Sequence, residues 1–76
     1  MSYRIHVTVI HSLGEFKGYI DNDKGLTFKE AQQIRDQLQT QINLLENLTL
    51  EASNTSITLP QKILENSVFK FQIYEQ

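Results

Sequence analysis

Cysteine is absent from this chain, and so is tryptophan, while proline occurs once and glycine three times in 76 residues. Without cysteine, disulfides, thiolate catalysis, zinc knuckles and iron–sulfur ligation are excluded. A domain near the lower size limit for a self-standing core must therefore be held by apolar packing alone. Long apolar runs are missing too. No stretch approaches the roughly 18 residues of a membrane span, and the opening MSYRIHVTV has no signal-peptide core, so a cytoplasmic protein with no membrane partner is expected.

Charge of one sign is also scarce. Seven basic and nine acidic residues give a net charge of −2, and both kinds are scattered along the chain. A phosphate-tracking stripe needs clustered lysine and arginine, so nucleic acid is not an expected partner. Catalytic parts are equally thin. There is no glycine-rich phosphate cradle and no GxSxG elbow. His6 and His11 have opposite strand parity, so they are not expected to share a metal. Asp21-Asn22-Asp23 opens like a calcium loop, but Leu26 stands where the glycine belongs and Gln32 where the bidentate glutamate belongs, and turn chemistry explains the acids. The expectation is a protein without catalytic activity, metal or cofactor.

What is present is one strongly specified helix. Thr27-Phe28-Lys29-Glu30 matches the capping box, with Gly25 and Leu26 leading into it. Phe28, Ala31, Ile34, Leu38, Ile42 and Leu45 recur at steps of three and four, and at about 100° per residue they fall in one arc of roughly 120°. The opposite side is polar and nearly neutral, with Gln32, Gln33, Gln37 and Thr40 on it. Glutamine can bond a partner at a smaller desolvation cost than a charge, which makes Gln37 a candidate contact. Leu44 falls outside the apolar arc and is a second candidate. Asn47 suits a left-handed C′ position, so the helix is predicted over about 28–46.

Strand patterns flank it. Tyr3, Ile5, Val7 and Val9 alternate with Arg4, His6 and Thr8, and a turn at 11–14 leads to a second alternating stretch through Phe16, Gly18 and Ile20. Gly18 in mid-strand predicts a bulge or a close approach by another side chain, such as an aromatic. A second hairpin is predicted with its turn at Ser53-Asn54, then Pro60 stops strand pairing and opens one helical turn that buries Ile63 or Leu64. Phe69, Phe71 and Ile73 alternate with Lys70, Gln72 and Tyr74 in the last strand. The fold class expected is α+β: one domain over residues 1–76, a small antiparallel sheet in the order β-β-α-β-β-β, and one long amphipathic helix packed on one face. The sheet's other face then displays Arg4, His6, Thr8, Lys17, Tyr19, Lys70, Gln72 and Tyr74, a mixed polar and aromatic surface.

Ile57-Thr58-Leu59-Pro60-Gln61-Lys62-Ile63-Leu64 followed by Val68-Phe69-Lys70-Phe71 resembles the strand–proline–short helix–strand unit of AbrB-type swapped-hairpin DNA-binding domains. The resemblance implies an intertwined dimer. The chain lacks that family's Gly-Asp turn and its DNA-contacting basic residues, so no site residue is carried over. The short, cysteine-free, glutamine- and asparagine-rich texture is similar to accessory proteins of bacteriophages and mobile elements. The expected function is a non-catalytic protein-interaction module, a homodimer that binds or inhibits another macromolecule, with Tyr19, Tyr74, Gln37 and Leu44 as contacts. The alternative is a nucleic-acid or nucleotide binder that stacks bases on Tyr19 and Tyr74 beside Lys17 and Lys70.

Overall fold

The computed structural model describes residues 2–20 and 25–76. Asp21, Asn22, Asp23 and Lys24, on which the calcium-loop and paired-carboxylate readings fall, lie outside the described residues. Alternation decides where each strand points. In β1 (Tyr3–His11), Ile5, Val7 and Val9 are fully buried while Arg4, His6 and Thr8 turn the other way. β1 hydrogen-bonds along one side to β2 (Gly14–Tyr19) and along the other to β5 (Val68–Glu75). The second hairpin is β3 (Asn47–Ala52) and β4 (Thr55–Pro60), so the antiparallel sheet runs β4-β3-β2-β1-β5. The fold is thus a small α+β domain with a five-stranded antiparallel sheet.

The seam between the hairpins is narrow. β2 and β3 share a single registered pair, Tyr19 with Glu51. A Cβ on Gly18 would stand 2.7 Å from the Leu50 Cβ and 2.8 Å from the Glu51 carbonyl oxygen. The close approach predicted at Gly18 is therefore present, made by an aliphatic side chain and backbone instead of an aromatic.

The helix α1 (Phe28–Gln41) starts as the capping box dictates. The Glu30 amide donates to the Thr27 hydroxyl at 3.1 Å, and the Thr27 amide donates to the Glu30 carboxylate at 2.9 Å. It ends five residues short of the predicted position 46. Ile42–Leu44 tightens into a 3-10 turn, Leu45 is extended, and Asn47 begins β3 instead of adopting a left-handed cap. Two local features weaken the last turn: Thr40 donates its hydroxyl back to the Asp36 carbonyl at 2.9 Å, and no basic side chain offsets the helix dipole there. Burying Ile42 and entering β3 then outweigh another helical turn.

Ala31 and Ile42 are buried as the helical stripe requires, but Phe28 is 48% exposed and packs edge-on against Tyr3 at 5.3 Å. The short helix α2 (Gln61–Glu65) follows Pro60, which serves as its N-cap and not its first residue, and it buries Leu64 while Ile63 stays half-buried. The unit that resembles a swapped hairpin is thus present locally, but its two strands sit at opposite edges of the sheet, β4 on β3 and β5 on β1 of the same chain. Among the described residues no helix is long and apolar enough to cross a membrane.

Candidate partner-binding face

Both helices lie on the side of Ile5, Val7, Val9 and Leu50, which leaves the other side of the sheet without a covering layer among the described residues. Strand register assembles that open face. His6 is directly opposite Tyr19 on β2 and Gln72 on β5, and Arg4 is opposite Tyr74. Diagonal neighbours complete the group. The His6 ring meets Tyr74 edge-on at 4.8 Å and lies 5.8 Å from Tyr19, and the Arg4 guanidinium sits 4.0 Å from the centre of the Tyr19 ring. Guanidinium over a tyrosine face is a favourable cation–π geometry. Tyr74 donates its hydroxyl to the Gln72 side-chain oxygen at 2.8 Å.

This packing has an electrostatic consequence. Partial burial, and to a lesser degree the Arg4 charge, push the His6 pKa below the usual 6.5, so the ring sits neutral between the tyrosines at neutral pH. Thr8 and Lys17 form the next row with Lys70 beyond them. Lys17 pairs with Glu15 at 3.3 Å on the exposed surface, a contact worth little by itself. Glu51 accepts from the Ser56 hydroxyl, its cross-strand partner on β4, at 2.8 Å. Arg4, Lys17 and Lys70 are therefore balanced in part by Glu15 and Glu51, and the face has no strong potential of either sign.

A shallow concavity of ≈ 390 Å³ lies over β1, lined by His6, Thr8, Lys17, Lys70, Gln72 and Tyr74. At the far end of the face Ile10 and Val68 are cross-strand partners, 45% and 66% exposed, and give it an apolar corner.

Of the four contacts expected from sequence, Tyr19 and Tyr74 come together on this face, with His6 between them. Gln37 and Leu44 belong to the helical layer on the other side of the sheet; both are exposed, and neither joins the tyrosines. Alternation in β1 puts Arg4 and His6 on the open face but does not mark them as contacts. Their importance comes from β1 being flanked by both tyrosine-bearing strands, a fact of strand order that alternation does not carry. His11 is separate from this cluster, at the end of β1, where its Nδ1 accepts from the Leu13 amide at 3.0 Å. No protein-family model matches the chain, and no curated protein sequence or solved structure matches it.

Proposed function

We propose that this chain is a non-catalytic protein-binding module that uses the open sheet face, works as a homodimer, and acts as an accessory protein by covering a surface of another macromolecule. The observation that carries the reading is the Arg4–Tyr19–His6–Tyr74 cluster. Tyrosine and arginine are the residue types that dominate binding energy at protein interfaces when they sit at the centre of a patch with a polar rim. Here each is already held by its neighbours at 4.0 to 5.8 Å, so less side-chain freedom is lost on docking. The near-neutral surface suits a polypeptide better than a phosphate backbone, whose affinity comes from many uncompensated cations.

A second reading rests on the concavity. Lys17 and Lys70 stand on either side of Thr8, with Tyr74 as a stacking surface nearby, an arrangement that fits a nucleotide or a short single strand. The two readings separate in one experiment. The protein is purified gently and its native mass measured, for wild type and for the exposed-face variant Tyr74→Ala. A second polypeptide retained by wild type and lost from the variant supports the protein-binding module. Bound material absorbing near 260 nm, lost when Lys17 and Lys70 are replaced by alanine, supports the nucleotide reading and removes the first.

A further inference from the structure

Among the described residues the outer edge of β5 has no partner strand. An edge strand displays unpaired N–H and C=O groups and is a template for further pairing unless proline, a bulge or charge blunts it. The β4 edge is blunted: it is six residues long, carries serine and threonines, and ends in Pro60. β5 is less protected, its charges being Lys70 and the terminal Glu75. It runs eight residues in unbroken register with β1 and contains no proline.

Two backbone hydrogen bonds fix which groups point outward. The Ile20 amide donates to the Ile5 carbonyl at 2.9 Å, so odd-numbered residues of β1 bond toward β2 and even-numbered ones toward β5. The Gln76 amide donates to the Ser2 carbonyl at 2.9 Å, which agrees and assigns the even-numbered positions of β5 to the ladder with β1. Phe69, Phe71, Ile73 and Glu75 therefore direct their N–H and C=O groups at the free edge. The side chains of Phe69, Phe71 and Ile73 lie on the helix-covered side, yet they are only half-buried in the single chain, with the two phenyl rings stacked at 6.3 Å.

We infer that β5 pairs antiparallel with β5 of a second copy about a two-fold axis at Phe71. The inference rests on the homodimeric reading above and gives it an interface at the strand edge, where Lys70, Gln72 and Tyr74 of the open face border the joint. Register selects the axis. Only pairings of odd with odd residues match the outward groups and keep both helices on the same side of one continuous sheet. An axis at Lys70 sets Lys70 against Lys70 of the second copy, and like charges directly opposite are destabilising. An axis at Gln72 sets the phenyl ring of Phe69 against the carboxylate of Glu75. With Phe71 on the axis, Phe71 faces Phe71, Phe69 faces Ile73, Val68 faces Tyr74 and Lys70 faces Gln72, with no charge opposed by a like charge or an apolar ring. The half-buried phenylalanines then close over the joint, and a C2 contact of this kind is self-limiting.

The Lys70–Gln72 pairs are the test, because they fall at non-hydrogen-bonded positions where side chains approach most closely, and symmetry makes two of them. Dimer dissociation constants are measured by sedimentation for wild type, Gln72→Glu and Gln72→Lys. Two opposite-charge pairs should tighten the Gln72→Glu dimer by about two- to thirtyfold, and two like-charge pairs should loosen the Gln72→Lys dimer by a similar factor. As a check that does not depend on association strength, Lys70→Cys and Gln72→Cys proteins are mixed under mild oxidation and should cross-link to each other but not to themselves. A dimer weakened by both charges has its axis at Gln72 and overturns the register. A dimer indifferent to both whose Lys70→Cys protein cross-links to itself has its axis at Lys70 and overturns the register. One indifferent to both and without any cross-link uses another surface and overturns the inference while leaving the homodimer standing. A protein that stays monomeric at all concentrations overturns both.

Discussion

Replacing Gly18 by alanine tests the seam of the sheet, because two effects of opposite sign compete there. In an ordinary strand the change removes unfolded-state freedom and stabilises by about 0.4–1 kcal/mol. At this position the new Cβ would lie 2.7 Å from the Leu50 Cβ and 2.8 Å from the Glu51 carbonyl oxygen. Comfortable carbon–carbon contact is about 3.5–4.0 Å, so one side must yield by most of an ångström. Leu50 is fully buried, and Glu51 supplies backbone and the one registered pair between β2 and β3, so neither moves cheaply. Overpacking of this kind costs about 1–3 kcal/mol and outweighs the entropic gain. A net loss of about 1–2 kcal/mol lowers Tm by roughly 4–16 °C in a domain of this size. Thermal and urea unfolding followed by circular dichroism measure it. Shortening Leu50 to alanine in the same protein should give no relief, since the obstructing atom is the Cβ that both residues share. A Gly18→Ala protein as stable as wild type, or more stable, refutes the close approach.

Two further perturbations reach other parts of the molecule. Thr27→Ala removes the hydroxyl that accepts from the Glu30 amide at 3.1 Å and should cost about 0.5–2 kcal/mol in urea unfolding, whereas unchanged stability would mean that the cap contributes nothing. The pH dependence follows from His6, whose pKa is lowered in the folded chain below the usual 6.5. Above that value both states are neutral and the residue contributes nothing. As pH falls through it the unfolded chain takes up a proton that the folded chain resists, so stability declines until the lowered folded value is passed. His6→Gln should flatten that part of the stability–pH curve, and an identical slope in the variant would show that His6 is not its source.

The fold was largely legible because its patterns are local. The capping box at Thr27 and Glu30 and the alternation in β1 and β5 each specify an element through neighbours in sequence. The helix end was not legible, since Ile42 and Leu45 keep the helical period and only the demand of β3 for the following residues breaks it. Strand order was the larger gap. Tyr19 and Tyr74 are 55 positions apart and flank the same His6 ring only because β5 pairs on the far side of β1 from β2, where Phe69, Phe71 and Ile73 pack against the core. For the same reason Gln37 and Leu44, reasonable as exposed helix residues, could not be separated from the tyrosines until the layers were known.

The open sheet face as the binding surface is tested most directly by affinity capture from cells that naturally make the protein. The two baits are Tyr19→Ala/Tyr74→Ala and Gln37→Ala/Leu44→Ala, each compared with wild type by quantitative mass spectrometry. The account predicts one polypeptide enriched by wild type, retained by the helical-layer variant, and lost from the tyrosine variant at unchanged thermal stability. A partner kept by the tyrosine variant and lost from the Gln37/Leu44 variant would contradict it and move the binding surface to the helical side.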